Sequence, residues 1–172
     1  GLQEDERRCV WKGFTMIRFG ILIISDRSFR GERDDLTAPA LEQYITLSGN
    51  QVSEKQIVPD ETEAISFTLA DWADSNAADV VLTSGGTGFT SRDITPEATL
   101  AVIDRIAPGI SEAIRAFSLR LTPHAMLSRA VSGIRKRTLI INLPGSPKGA
   151  LESLEYVLPV LSHAVDLLQD SA

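Results

Sequence analysis

DVVLTSGGTGFTSRDITPEATL, residues 79–100, is the stretch that decides the fold. Asp79 to Thr83 is a short, apolar, β-branched run, which predicts a buried strand. Ser84-Gly85-Gly86-Thr87-Gly88 follows at once and breaks it. Thr95-Pro96-Glu97 then marks a helix start, with Thr95 as N-cap, Pro96 at the first helical position and Glu97 favoured by the helix dipole. The helix is expected to run to about Asp104. A strand, a glycine loop and a helix in that order form the repeating unit of an α/β sheet.

The flanking sequence repeats the alternation. Ile17 to Ile24 (IRFGILII) reads as a buried strand ending at Ser25-Asp26-Arg27, and Leu36 to Leu47 as a helix stopped by Ser48-Gly49-Asn50. Gln51 to Val58 is a second strand, and Pro59-Asp60 separates it from a helix with Ile65, Leu69 and Trp72 on one face. Downstream come a helix over 109–121, two strands within 130–142 with a turn at Arg135 to Arg137, and a long final helix. Its stripe is Leu151, Leu154, Val157, Leu158, Leu161, Val165 and Leu168, with a kink expected at Pro159. These elements predict a three-layer α/β/α fold whose sheet is mostly parallel, with a short antiparallel element near residues 130–143.

Length and composition narrow the function. At 172 residues the chain is one domain's worth, able to bury roughly 70% of its unfolded surface. The expected organisation is a flexible arm over residues 1–15 and one domain over 16–172. No apolar run reaches the length of a membrane span, and the formal charge of −6 disfavours broad nucleic-acid binding. Cys9 is the single cysteine, so no intramolecular disulfide can form, and a cytoplasmic setting is expected.

In a parallel sheet the loops Ser25–Asp35, Pro59-Asp60, Ser84–Asp93 and Pro144–Ser146 leave strand ends on one edge, where such folds bind ligands. The glycine loop is able to cradle a phosphate with backbone amides; a ligand-free turn accounts for its glycines equally well. It matches neither the dinucleotide nor the P-loop pattern. Asp93 lies beside this anion site, where a carboxylate repels phosphate unless a cation such as Mg²⁺ intervenes. Asp60 with Glu63 has capping-box spacing, and on spacing alone capping is its preferred role, although its second oxygen is able to ligate metal. Ser146 and Pro147 read as N-cap and first position of the last helix, with Lys148 adding a positive charge. The run Arg135-Lys136-Arg137 reads as a solvated turn, and His124 and His163 belong to no catalytic arrangement.

Taken together, ISDR, SGGTGFTSRDITPEAT, AMLSRAVSGIR and LIINLPGSPKG resemble the molybdopterin adenylyltransferases of MogA type over about residues 17–168. The resemblance implies the molybdopterin-binding fold, a homotrimer, and transfer of AMP from ATP to the terminal phosphate of molybdopterin with Mg²⁺. It implies catalytic and Mg²⁺-holding roles for Asp60 and Asp93, against the capping preference for Asp60. Ser84, Gly85, Gly86, Thr87, Gly88 and Glu97 fall on the nucleotide side, and Ser25, Asp26, Ser128, Arg129, Gly145 and Ser146 on the substrate side. A molybdate-insertion enzyme is an implied partner. Where the family carries a glycine after its first-loop aspartate, this chain reads Asp35-Leu36-Thr37-Ala38-Pro39. The alternatives are a MoaB-like paralogue that binds pterin or acts as a scaffold without catalysis, and a fold relative of the molybdate-insertion or competence-damage type.

Overall fold

The first strand, β1 (Arg18–Ile24), is apolar on both faces because it lies in the middle of a sheet covered on both sides. Phe19, Ile21 and Ile23 point to one layer of helices, and Leu22 and Ile24 to the other. The structure is a computed structural model and describes residues 15–170; apart from Thr15, the arm expected over residues 1–15 lies outside the described residues.

After β1 come α1 (Asp26–Phe29), α2 (Thr37–Leu47), β2 (Gln51–Val58), α3 (Thr62–Asp74) and β3 (Val80–Ser84). They are followed by α4 (Thr95–Leu100), β4 (Arg105–Ile106), α5 (Pro108–Leu119) and a 3₁₀ helix at Pro123–Leu127. The chain ends in β5 (Ser132–Arg135), β6 (Thr138–Leu143) and α6 (Pro147–Asp170). Strand order across the sheet is β2-β1-β3-β6-β5-β4. The first four of these strands are mutually parallel, and β5 and β4 add an antiparallel edge. The expected three-layer architecture is therefore observed. One core, with Leu41, Ile45, Ile114, Leu154, Leu161 and Val165, seals α2, α5 and α6 to the sheet. The other, with Ile65, Leu69, Trp72 and Ala98, seals α3 and α4 to the opposite face. Gly20 leaves room for Trp72, whose ring lies 3.0 Å from where a β-carbon would stand.

Three local expectations are corrected. The helix expected to reach Asp104 ends at Leu100, and Arg105–Ile106 form an exposed edge strand instead. Two solvent-facing residues carry no periodicity, so only their pairing with Gly133 and Ile134 defines them. Thr95 is not the N-cap of α4. That position is Ile94, and the Thr95 hydroxyl points back to the glycine loop, donating to the Gly85 carbonyl at 2.9 Å. Asp60 does not cap α3 either: Glu61 holds the cap position without a side-chain hydrogen bond. The last helix remains helical through Pro159, which stands exposed on its outer face. No described helix is long and apolar enough to cross a membrane.

Candidate active site

Register brings the site together. Ile24 pairs with Val58, Ile23 with Ser84, and Ser84 with Leu143, so the four parallel strands end level. Their outgoing loops line a cleft of about 820 Å³ whose walls include Asp26, Asp60, Asp93, Gly85, Gly86 and Ser146. Four segments separated by up to about 120 positions thus meet at one sheet edge, as the topology of parallel strands requires.

The glycine loop is shaped by close approach as much as by conformation. Gly85 and Gly86 have φ of 106° and 70°, in the left-handed region that side chains resist. A β-carbon on Gly85 would meet the Ile24 carbonyl, and one on Gly86 the Thr95 hydroxyl. Thr95 fastens the loop twice, since its amide also donates to the Gly86 carbonyl at 3.0 Å. Gly88 has an ordinary φ but lies against the Asp93 carboxylate, with 2.9 Å to the position of a β-carbon. Asp93 folds its own loop: its Oδ2 accepts the Thr90 amide at 2.9 Å.

The carboxylates are bound into a network across three loops. Asp60 Oδ2 accepts the Asp26 amide at 2.9 Å, and Asp26 Oδ1 accepts the Asp60 amide at 3.0 Å. Arg92 reaches over from the third loop and grips both oxygens of Asp26 at 2.9 Å each. Hydrogen bonds from Arg92 hold the Asp26 carboxyl below the usual carboxylate range. Asp60 responds in the opposite sense. Burial pushes its pKa up, the Asp26 amide partly offsets this, and the negative charges of Asp26 and Asp93 add to the rise. Its Oδ1 lies 3.2 Å from where a β-carbon on Gly86 would stand, so the acid faces the glycine loop.

Arg129 is the clasp of this region. Its amide donates to the Thr87 carbonyl at 2.9 Å, Nε to the Gly88 carbonyl at 2.8 Å and Nη2 to the Asp93 carbonyl at 2.5 Å. Nη1 pairs with Glu97 at 2.5 Å. Glu97 is thereby held by Arg129 and is not among the residues lining the cleft.

A second cavity, of about 340 Å³ and mainly apolar, opens on the far side of the Gly145 turn. Thr87, Gly88, Ser128, Ile114, Leu127 and Asn142 contribute to its wall. Gly145 and Ser146 line both spaces, so the cleft and the cavity share that turn. The Ser146 hydroxyl accepts the Gly149 amide at 3.0 Å and caps α6 as expected. Ser25 and Asp26 lie in the cleft, whereas Ser128 lies in the second cavity.

Two residues of this site carried weak local signals. Asn142 is fully buried and ties the second cavity to the core, donating to Thr83 and Thr99 hydroxyls at 2.9 and 3.0 Å. A lone amide ending an apolar strand was its only signal. Arg115 lines the same cavity, anchored on the Ser128 carbonyl at 2.9 Å. His124 is exposed at that cavity's rim and His163 is exposed on α6, so neither is placed as a general base in the cleft. Lys136 and Arg137 are exposed in the turn as expected, but Arg135 is half-buried, and Arg135 and Lys136 pair with Asp74 at the end of α3.

The donor set bears on metal binding. Among the described residues no group of three or more His, Cys, Asp or Glu side chains is arranged to hold an ion. Asp60 and Asp93 line the cleft beside Gly85 and Gly86, a pair of carboxylates of the kind Mg²⁺ takes when phosphate oxygens and water complete its shell.

A family model described as a probable molybdopterin binding domain matches residues 20–163. The chain belongs to this family. It is 47% identical over 143 residues to the molybdopterin adenylyltransferase of Escherichia coli K12, covering 82% of this chain and 73% of that protein. It is 42% identical over 154 residues to the molybdopterin adenylyltransferase of Helicobacter pylori J99, covering 88% of each. The crystal structure of the molybdopterin biosynthesis enzyme MoaB of Thermus thermophilus superposes with a TM-score of 0.85 at 52% identity, over 90% of this chain and 98% of that one. The likenesses support a role in molybdenum cofactor biosynthesis.

Proposed function

We propose that this chain transfers the adenylyl group of ATP to the terminal phosphate of molybdopterin, giving adenylylated molybdopterin and pyrophosphate. The observation that carries the reading is the shared wall of two unlike spaces. The polar cleft suits a nucleotide and its phosphates, the apolar cavity suits a pterin, and both border Gly145 and Ser146. The names of the relatives at 42–47% identity support the same reaction.

In this reaction an oxygen of the pterin phosphate attacks the α-phosphorus of ATP, the bond to the β-phosphate bridging oxygen breaks, and pyrophosphate leaves. A phosphate monoester is already anionic near neutral pH, so no strong general base is needed. The work is positioning and charge neutralisation. The segment from Ser84 to Gly86 borders the cleft and presents its backbone to the nucleotide phosphates, with Gly85 and Gly86 packed against Ile24 and Thr95 where no side chain fits, while Thr87 and Gly88 line the second cavity. Asp60 and Asp93 would hold Mg²⁺, which when bound neutralises phosphate charge. Arg92, through Asp26, keeps Asp60 aimed at the loop, and Arg129 keeps the loop against Asp93. Ser128 and Arg115 border the pterin phosphate in the second cavity. The protein is read as cytoplasmic and homotrimeric, handing its product to a molybdate-insertion enzyme; light scattering of the purified chain tests the trimer.

A second reading is kept because the Thermus thermophilus chain at 52% identity carries the name MoaB, a molybdopterin biosynthesis enzyme, and not adenylyltransferase. Under it the chain binds pterin, or serves as a scaffold, without transferring adenylate. Pyrophosphate release on mixing the protein with ATP, Mg²⁺ and molybdopterin separates the two. The transferase releases it in step with adenylylated pterin, and Asp93→Asn lowers the rate by about 100-fold or more while the protein stays folded. Full activity in Asp93→Asn removes that residue from the mechanism.

A further inference from the structure

We propose that Arg33, with Arg27 lining the same cleft, is the binding site for the β- and γ-phosphates of the nucleotide, the part that leaves as pyrophosphate. The inference deepens the reading above and rests on it.

The cleft is unbalanced in charge. Its wall carries the carboxylates of Asp26, Asp34, Asp35, Asp60 and Asp93, while its described cations are Arg27 and Arg33. The other arginines around the site are already engaged with carboxylates: Arg92 with Asp26, Arg129 with Glu97 and Arg30 with Glu32. Among the described residues neither Arg27 nor Arg33 makes an ion pair within 4 Å. Arg33 is nonetheless placed, not loose. One guanidinium nitrogen, Nη2, donates to the Ser25 hydroxyl at 3.2 Å. That hydroxyl also accepts the Ser28 amide at 3.1 Å as the cap of α1. A guanidinium has five N–H donors in a fixed fork, so most remain for a ligand.

The backbone does not offer an alternative on this wall. The N-terminus of α2 opens on the cleft through Thr37, but Asp35 closes it, accepting the Thr37 amide at 2.9 Å and the Ala38 amide at 3.2 Å. Ser25 closes the short α1 in the same way. Anion recognition on the first-loop side therefore falls to side chains. The glycine loop and the acids Asp60 and Asp93 line the same cleft, and the α-phosphate has to meet the pterin phosphate beside Gly145. A polyphosphate tail lying along that cleft would meet Arg27 and Arg33 as its described cationic lining. As the α–β bridging bond breaks, negative charge grows on the departing pyrophosphate, and a fixed cation there favours the transition state.

Isothermal titration with Mg²⁺ present, using pyrophosphate and AMP as separate probes, tests the assignment alongside ATP kinetics. Arg33→Ala is expected to weaken pyrophosphate binding and raise the KM for ATP by about tenfold, the scale of one charge-assisted contact. AMP affinity should change less than about twofold, because AMP lacks the tail. Arg33→Lys should recover part of the loss, keeping the charge without the fork. Equal pyrophosphate affinity in wild type and Arg33→Ala overturns the assignment while leaving the adenylyl-transfer reading intact. Parallel weakening of AMP and pyrophosphate overturns it too, since the residue would then only be holding the loop. A wild-type chain that releases no pyrophosphate from ATP and molybdopterin overturns the reading itself, and the inference with it.

Discussion

Asp60 and Asp74 are the same residue type in opposite circumstances. Asp74 sits at the end of α3 opposite the hairpin, where Arg135 reaches both its oxygens at 2.9 and 3.0 Å and Lys136 adds a contact at 3.2 Å. Hydrogen bonds from Arg135 lead in lowering its pKa to about 2. Asp60 is half-buried and has two like charges near it, so its pKa rises. The nearby Arg92 is committed to Asp26. Asp74 is surrounded by the cations a carboxylate favours; Asp60 is left short of them, which under the proposed reaction a metal-bearing nucleotide would correct. That asymmetry marks functional positions more sharply than any one motif.

The widest gap between the two acids should open in Asp60→Asn and Asp74→Asn. Asp60→Asn is expected to lower pyrophosphate release by about 100-fold or more, whereas Asp74→Asn keeps it. Stability should move the other way. Because the folded-state pKa of Asp60 is raised, its ionised form disfavours the fold at neutral pH, and the fold is favoured as pH falls below the ordinary carboxylate range. Asp60→Asn should therefore melt at a higher temperature than wild type at pH 7, with the difference shrinking below about pH 4. Calorimetric melts at about pH 7 and about pH 3.5, on either side of the ordinary carboxylate value, provide the check. A lower midpoint at neutral pH would break the comparison.

Gly86→Ala tests the cradle between the acids. It forces a side chain into positive φ and against Thr95, with an expected loss of about 1–3 kcal/mol in denaturant titration and a fall in activity larger than the stability loss explains. A neutral outcome would mean the loop relaxes freely and is no preformed cradle.

The smallest effect belongs to Asp74→Asn itself. Asp74 has a depressed pKa, so its contribution is present above the ordinary value of 3.8 and disappears as pH falls towards about 2. The pair is exposed, so the drop in melting midpoint at neutral pH should be slight and should fade in high salt. A large, salt-insensitive drop would show that the hairpin clasp matters to the fold more than an exposed ion pair can.

How far the sequence carries this can be followed residue by residue. The buried strands β1, β3 and β6 were legible because continuous apolar runs have few other fates. The glycine loop and the cap at Ser146 were legible because each is a local event. Asp60 was ambiguous for a physical reason: acid spacing before a helix fits a cap as well as a catalytic carboxylate, and only its partner Asp26, 34 positions away, excludes the cap. Thr95 misled in the same way, since its hydroxyl had a backbone carbonyl to reach across the loop. Arg129 lies 36 positions from Asp93 and 32 from Glu97, and Arg92 lies 66 from Asp26. No local pattern encodes such pairs.

The amino-acid sequence by itself determined the order of the main strands and helices, the mostly parallel sheet and the location of four polar loops at its carboxyl edge, because hydrophobic period and turn chemistry act over a few residues. Tertiary structure alone decided which acids would be satisfied and which left waiting, and where two unlike spaces would share a wall. Those outcomes depend on strands ending level and on guanidinium groups arriving from distant loops. Burial and charge are properties of neighbours in space, and the neighbours exist only once the sheet has closed its layers.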